Sequence, residues 1–195
     1  MEQGGQDKKS RSAGKIGLTL LVVALVGTVV GIGTWSAFSS TTENSGNQFE
    51  AGTVTLGDDD SDGVLFNLSA LKPNDTSDKC INVTYSGSLA ASVKVYGSGS
   101  GGLGQYLTLT VTRGTIASPA FPSCTGFTAD DGGGELYSGN LADFPASYGA
   151  GIADPNGSWS SGENHVYKVS VTVQDNESAQ GLTASQSFTW EARNN

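Results

Sequence analysis

Alternation of apolar and polar positions is clearest at residues 106–113, where Leu107, Leu109 and Val111 interleave with Thr108, Thr110 and Thr112. Period two with many β-branched residues predicts a strand with one face buried. Residues 167–173 repeat the design, with Tyr167, Val169, Val171 and Val173 set against Lys168, Ser170 and Thr172. Shorter runs follow the same rule. Ile81, Val83 and Tyr85 share one face, as do Ala91, Val93 and Val95, and Phe188 with Trp190. Residues 49–56 and 64–68 read as two further strands, and Lys72-Pro73-Asn74-Asp75 as a turn that fixes φ at proline. Glycine and serine runs at 97–104 and 132–134 are loops, because no Gly-Lys-Ser/Thr follows a strand to make a phosphate cradle. Only residues 135–148 leave room for one short helix, with Leu141, Phe144 and Tyr148 at helical spacing and Pro145 limiting it. Many short strands with no βα alternation predict an all-β, two-sheet sandwich, jelly-roll-like or immunoglobulin-like.

The start of the chain breaks this pattern. Lys8, Lys9, Arg11 and Lys15 form a cationic flank, and residues 16–32 carry no charge. A basic region, an apolar core and small residues at a cut make a secretory signal. Thr34 and Ser36 supply the small side chains if cleavage falls before Ala37. Ile16 to Phe38 is just long enough to remain instead as a single membrane anchor, with the body outside. The chain therefore divides into a leader at 1–36, a polar N-terminal segment at 37–47 and a β-sandwich domain at 48–195.

Charge and cysteine usage narrow the partners. The chain carries 10 Lys and Arg against 19 Asp and Glu, a net charge of −9. Loss of the leader would remove four of those bases and two acids, leaving a body still more acidic. That balance argues against nucleic acid, which needs clustered Lys and Arg. Cys80 and Cys124 are the only cysteines. An even pair outside the cytoplasm reads as a disulfide, since neither belongs to a Cys-x-x-Cys motif.

Two short stretches carry a family likeness. The first is Gly33-Thr34-Trp35-Ser36-Ala37-Phe38, and the second, after a polar spacer, is Phe49-Glu50-Ala51-Gly52-Thr53-Val54-Thr55-Leu56. In both halves and in their separation the chain resembles the TasA/camelysin family. Leu71-Lys72-Pro73-Asn74-Asp75 resembles a Leu-x-Pro-Gly-Asp turn found there, with Asn74 in place of glycine. The resemblance implies a precursor cut between Ser36 and Ala37 by a dedicated signal peptidase. It further implies a jelly-roll subunit of extracellular fibres or biofilm matrix, polymerising head to tail with copies of itself and leaving room for an accessory matrix protein. The donated strand would be Ala37, Phe38, Ser39, Ser40, Thr41 and Thr42. A segment with Phe38 as its one large apolar residue cannot fold alone but can add a strand to a sheet edge.

Candidate chemistry is sparse. Camelysins carry a metallopeptidase description, yet His165 is the single histidine and leads into a β pattern, so the two-histidine helix of such a site is missing. His165 reads as a surface residue of an edge strand. Asp58, Asp60, Asp62 and Gly63 match positions 1, 3, 5 and 6 of a calcium loop, but the twelfth position is Ser69, and the stretch is read as an acidic hairpin turn. No cofactor, metal or catalytic residue is called for. The competing function is a monomeric surface module that binds through Tyr137, Tyr148 and Trp159. Exposure of those rings would favour binding, and burial of Trp159 would favour simple core packing.

Overall fold

The computed structural model describes residues 54–195 and the backbone of Ser39–Glu43. The leader, its Ser36–Ala37 junction, Phe38 and residues 44–53 lie outside the described residues. All described residues belong to one compact unit.

The long alternating runs become the strands that carry the core. Thr76–Tyr85 (β3), Leu107–Thr115 (β6) and Asn164–Val173 (β10) pair antiparallel in the order β3-β10-β6. Leu56–Asp58 (β2) extends this sheet beside β3, while Thr128–Ala129 (β7) and Glu135–Asn140 (β8) both pair with β6. The second sheet runs Ser39–Glu43 (β1), Thr189–Asn194 (β12), Ala91–Tyr96 (β4) and Ile152–Ala153 (β9). Gly99–Ser100 (β5) and Ser185–Gln186 (β11) form a small separate pair.

Period two puts alternate side chains on opposite faces, so each strand delivers a row to the space between the sheets. Ile81, Val83 and Tyr85 from β3, Leu109 and Val111 from β6 and Val169 from β10 are all buried. Val93 and Val95 from β4 and Trp190 and Ala192 from β12 meet them from the other side. The Tyr167 and Trp190 rings lie 5.4 Å apart across that space. Burying each Val or Leu contributes on the order of 1.5–3 kcal/mol, so these rows hold the sandwich. The all-β class and two-sheet architecture are as the alternation predicts.

Three local expectations are corrected. Residues 64–68 are not a strand; they lie in a long irregular loop between β2 and β3 that touches the core through Leu65 while leaving Val64 63% exposed. Among the described residues no strand pairs with that run. The short helix of 135–148 is instead β8 followed by a single 3-10 turn at Leu141–Asp143. The open edge of β6 supplies backbone partners over five residues of β8, and that outweighs helical spacing at three positions. Leu141 and Phe144 still reach the core, with Tyr137 edge-on to Phe144 at 5.2 Å. His165 is not on an edge strand: β10 is the interior strand between β3 and β6. There its ring packs 4.7 Å from that of Trp159, which is fully buried.

Candidate functional site

β1 is the outermost strand of its sheet. It runs antiparallel to β12, with Ser39 opposite Arg193 and Glu43 opposite Thr189. Four of the six residues of the expected donated strand, Ser39, Ser40, Thr41 and Thr42, thus lie paired within their own chain. β12 needs that neighbour. Its other side is taken by β4, and without β1 it would present a row of unpaired backbone groups. Its side chains are already committed: Trp190 and Ala192 to the core, and Glu191, on the opposite face, to the Tyr96 hydroxyl at 2.6 Å and Arg193 Nε at 2.7 Å.

Cys80 and Cys124 are joined as a disulfide, their Cα atoms 5.1 Å apart. Cys80 lies on the outer face of β3, opposite the Ile81–Val83–Tyr85 row, so the bridge straps a loop across the outside of the sheet. Pro122 O accepts the Cys80 N–H at 3.1 Å, and Lys168 Nζ lies 5.2 Å above the Phe127 ring.

Two polar groups were candidates for chemistry. At the first, Glu163 accepts from the Ser160 N–H at 3.0 Å and faces His165 Nε2 at 3.0 Å, with Asn156 Nδ2 as a third donor. Burial would raise the Glu163 carboxyl, but these hydrogen bonds outweigh it and hold it below the usual carboxylate range. The second is the acidic stretch after β2. Asp58 Oδ1 accepts the Asp60 N–H at 3.3 Å, Asp60 Oδ1 the Asp62 N–H at 2.9 Å, and Asp59 Oδ1 the Asn82 N–H at 2.8 Å. Gly63 N–H bonds to Asp60 O at 2.8 Å, closing a tight turn with Ser61 and Asp62 at φ of 49° and 67°. A side chain at Gly63 would press 2.8 Å from Asp60 O and 2.9 Å from the Phe121 ring. The turn is present, but no strand follows it, so it is not a hairpin. Burial, and then the neighbouring Asp58 charge, push the Asp60 carboxyl up to about 6.

The family model described as Camelysin metallo-endopeptidase, Peptidase_M73, matches residues 12–98. Over that span the chain is similar to the camelysin family. The matched span contains both motif halves, β1 to β4 and the acidic turn, whereas Cys124, β10 and β12 lie beyond it. No curated protein matches the chain.

The camelysin description names a metal enzyme, and the side chains here do not fit a zinc peptidase centre. His165 is the single histidine of the chain and already faces Glu163. Among the described residues no three His, Cys, Asp or Glu side chains are grouped to hold an ion. Among them, too, no helix is long and apolar enough to cross a membrane.

Alternation alone missed one group. Arg113, on β6, reaches Asp130 through Nε and Asp154 Oδ1 through Nη1 at 2.7 Å. The Tyr167 hydroxyl donates to Asp154 Oδ2 at 2.7 Å. Asp154 follows β9, so these bonds tie the two sheets together at one end. The sequence signal was available: position 113 continues the inward row 107, 109, 111, and a charge in an apolar row needs a buried partner.

Proposed function

We propose that this protein is a structural subunit of an extracellular or cell-surface fibre or matrix, polymerising by exchange of its N-terminal strand. The observation that carries the reading is the place of β1 at the edge of a sheet, antiparallel to β12. An edge strand joined to its body by a tether can dock on its own chain or on the next copy with the same backbone bonds. Exchange in that manner is a low-cost route to assembly, and repeated head to tail it gives an open filament. The camelysin-family match supports export and cleavage between Ser36 and Ala37, which would free the terminus ahead of β1. Signal peptidase and a second copy of the chain are the partners so implied, and the function is non-catalytic.

Electron microscopy of two forms tests it. Protein beginning at Ala37 is expected to form filaments, and protein beginning at Gly46, which lacks β1, to stay monomeric. Equal polymerisation by the shorter form would remove strand exchange as the mechanism. Absence of filaments from both would favour the monomeric binding module. In its favour is an open, largely apolar cleft of about 1230 Å³, whose walls include Val64, Leu68, Leu103, Leu182 and Phe188. Neither form is expected to hydrolyse a peptide substrate. Proteolysis lost on chelation and in His165→Ala would restore the metallopeptidase reading.

A further inference from the structure

We propose that the turn at residues 58–63 binds a hard divalent cation of the calcium type, with Asp60 Oδ2 as its central ligand and Asp58 as the second carboxylate. Asp60 is 6% exposed, and its Oδ2 is buried with no hydrogen-bond partner. An orphaned carboxylate oxygen is costly, and folded proteins satisfy such groups with a donor, a proton or an ion. Four main-chain donors of the turn and of β3 are committed to other acceptors. The Asp60, Asp62, Gly63 and Asn82 N–H groups are bound to Asp58, Asp60 Oδ1, Asp60 O and Asp59 respectively. None of the ion pairs among the described residues includes Asp60.

The ligand class follows from the atoms available. Residues 58–63 contain aspartate, serine and glycine, so every donor is oxygen and a soft or borderline ion is disfavoured. Asp58 and Asp60 stand two residues apart, the spacing at which successive oxygens turn toward one ion, while Asp62 is not grouped with them. The described residues bring no third acidic, histidine or cysteine side chain into such a group, so main-chain carbonyls and water must complete the shell. A shell with so few charges and a flexible geometry suits calcium over magnesium, with a Kd on the order of 10⁻⁴–10⁻³ M. Asp59 is turned instead to β3, where its Oδ1 accepts the Asn82 N–H, and serves as the control carboxylate. The proposal is independent of whether the chain polymerises.

Calcium chloride titrated into the full chain in mild detergent, at pH 7.5, is the test. Thermal unfolding is expected to shift up by about 3–5 °C once calcium exceeds its Kd roughly tenfold. Terbium luminescence, displaced by calcium over the same range, reports the site directly. Asp60→Asn should abolish both signals, Asp58→Asn should weaken both at least tenfold, and Asp59→Asn should keep both. Wild-type protein with no shift and no terbium signal would overturn the proposal, leaving a shared proton as the partner of Asp60. Equal calcium signals in wild type and Asp60→Asn would overturn it also. Should Asp60→Asn fail to fold, Asp58→Asn and the wild-type titration decide alone.

Discussion

Replacing Asp154 with alanine is expected to lower folding stability by about 3–5 kcal/mol, the cost of breaking a buried ion pair by removing one partner. Asp154 is buried and accepts three hydrogen bonds: from Arg113 Nη1, from the Tyr167 hydroxyl and from the Asn156 N–H at 2.8 Å. Deleting its carboxylate strips the buried Tyr167 hydroxyl of its acceptor among the described residues. Arg113 keeps Asp130, so its charge is not wholly orphaned, which places the expectation at the lower end of that range. Burial pushes the Tyr167 phenol well above its usual range, and the Asp154 charge adds to that, so its hydroxyl remains a donor at any ordinary pH. Denaturant unfolding measures the loss. The combined change of Arg113→Met, Asp154→Leu and Tyr167→Phe should recover most of it, because both buried charges and the phenol go together, leaving only the half-exposed Asp130 and the N–H of the exposed Asn156 to water. A loss under 1 kcal/mol in Asp154→Ala would mean that the bonds contribute no net stability to the junction of the two sheets.

Sequence periodicity is informative where a strand is long and buried on one face. The rows on β3, β4, β6 and β10 were legible because burial follows parity along most of each strand, strictly in β4 and with one adjacent buried pair in each long strand. β12 was legible from Phe188 and Trp190 for the same reason. What periodicity cannot express is pairing. That β8 lies on β6, and that residues 39–43 lie on β12 of the same chain, depend on contacts with segments distant in sequence. The same holds in part for His165, whose backbone pairs with Val83 of β3 while its ring packs on Trp159 and meets Glu163. Residues 64–68 failed in the opposite direction: apolar content suggested a strand, but content without a partner yields only a loop leaning on the core.

The candidate sites divide along the same line. The disulfide could be read from cysteine count alone, and the acidic turn from its aspartate spacing. The orphaned oxygen on Asp60 could not, since burial at that position depends on tertiary packing that aspartate spacing does not encode. The Arg113–Asp154–Tyr167 group lies between. Arg113 stands out within its apolar row, but nothing in the sequence says which acid meets it.

Loss of the Cys80–Cys124 bridge is expected to cost about 4 kcal/mol, because it releases a loop with a sequence separation of 44 residues in the unfolded chain. The location of the bridge makes this a clean measurement. It crosses the outer face of β3, so the apolar row of Ile81, Val83 and Tyr85 does not depend on it. Reduced wild type, Cys124→Ser and the double variant with Cys80→Ser should therefore lose similar amounts in denaturant unfolding and keep the same β signature by circular dichroism. Cys80 is itself buried, so a hydroxyl there adds a desolvation cost of its own. Any excess loss in the double variant over reduced wild type measures that cost and not the cross-link. If reduced wild type loses less than 1 kcal/mol, the strap must stay ordered without its bridge, held by the Cys80 N–H on Pro122 and by Lys168 over Phe127. Those two contacts are each of the order of 1 kcal/mol, too few to order a loop of that length, which is why the full loss is expected.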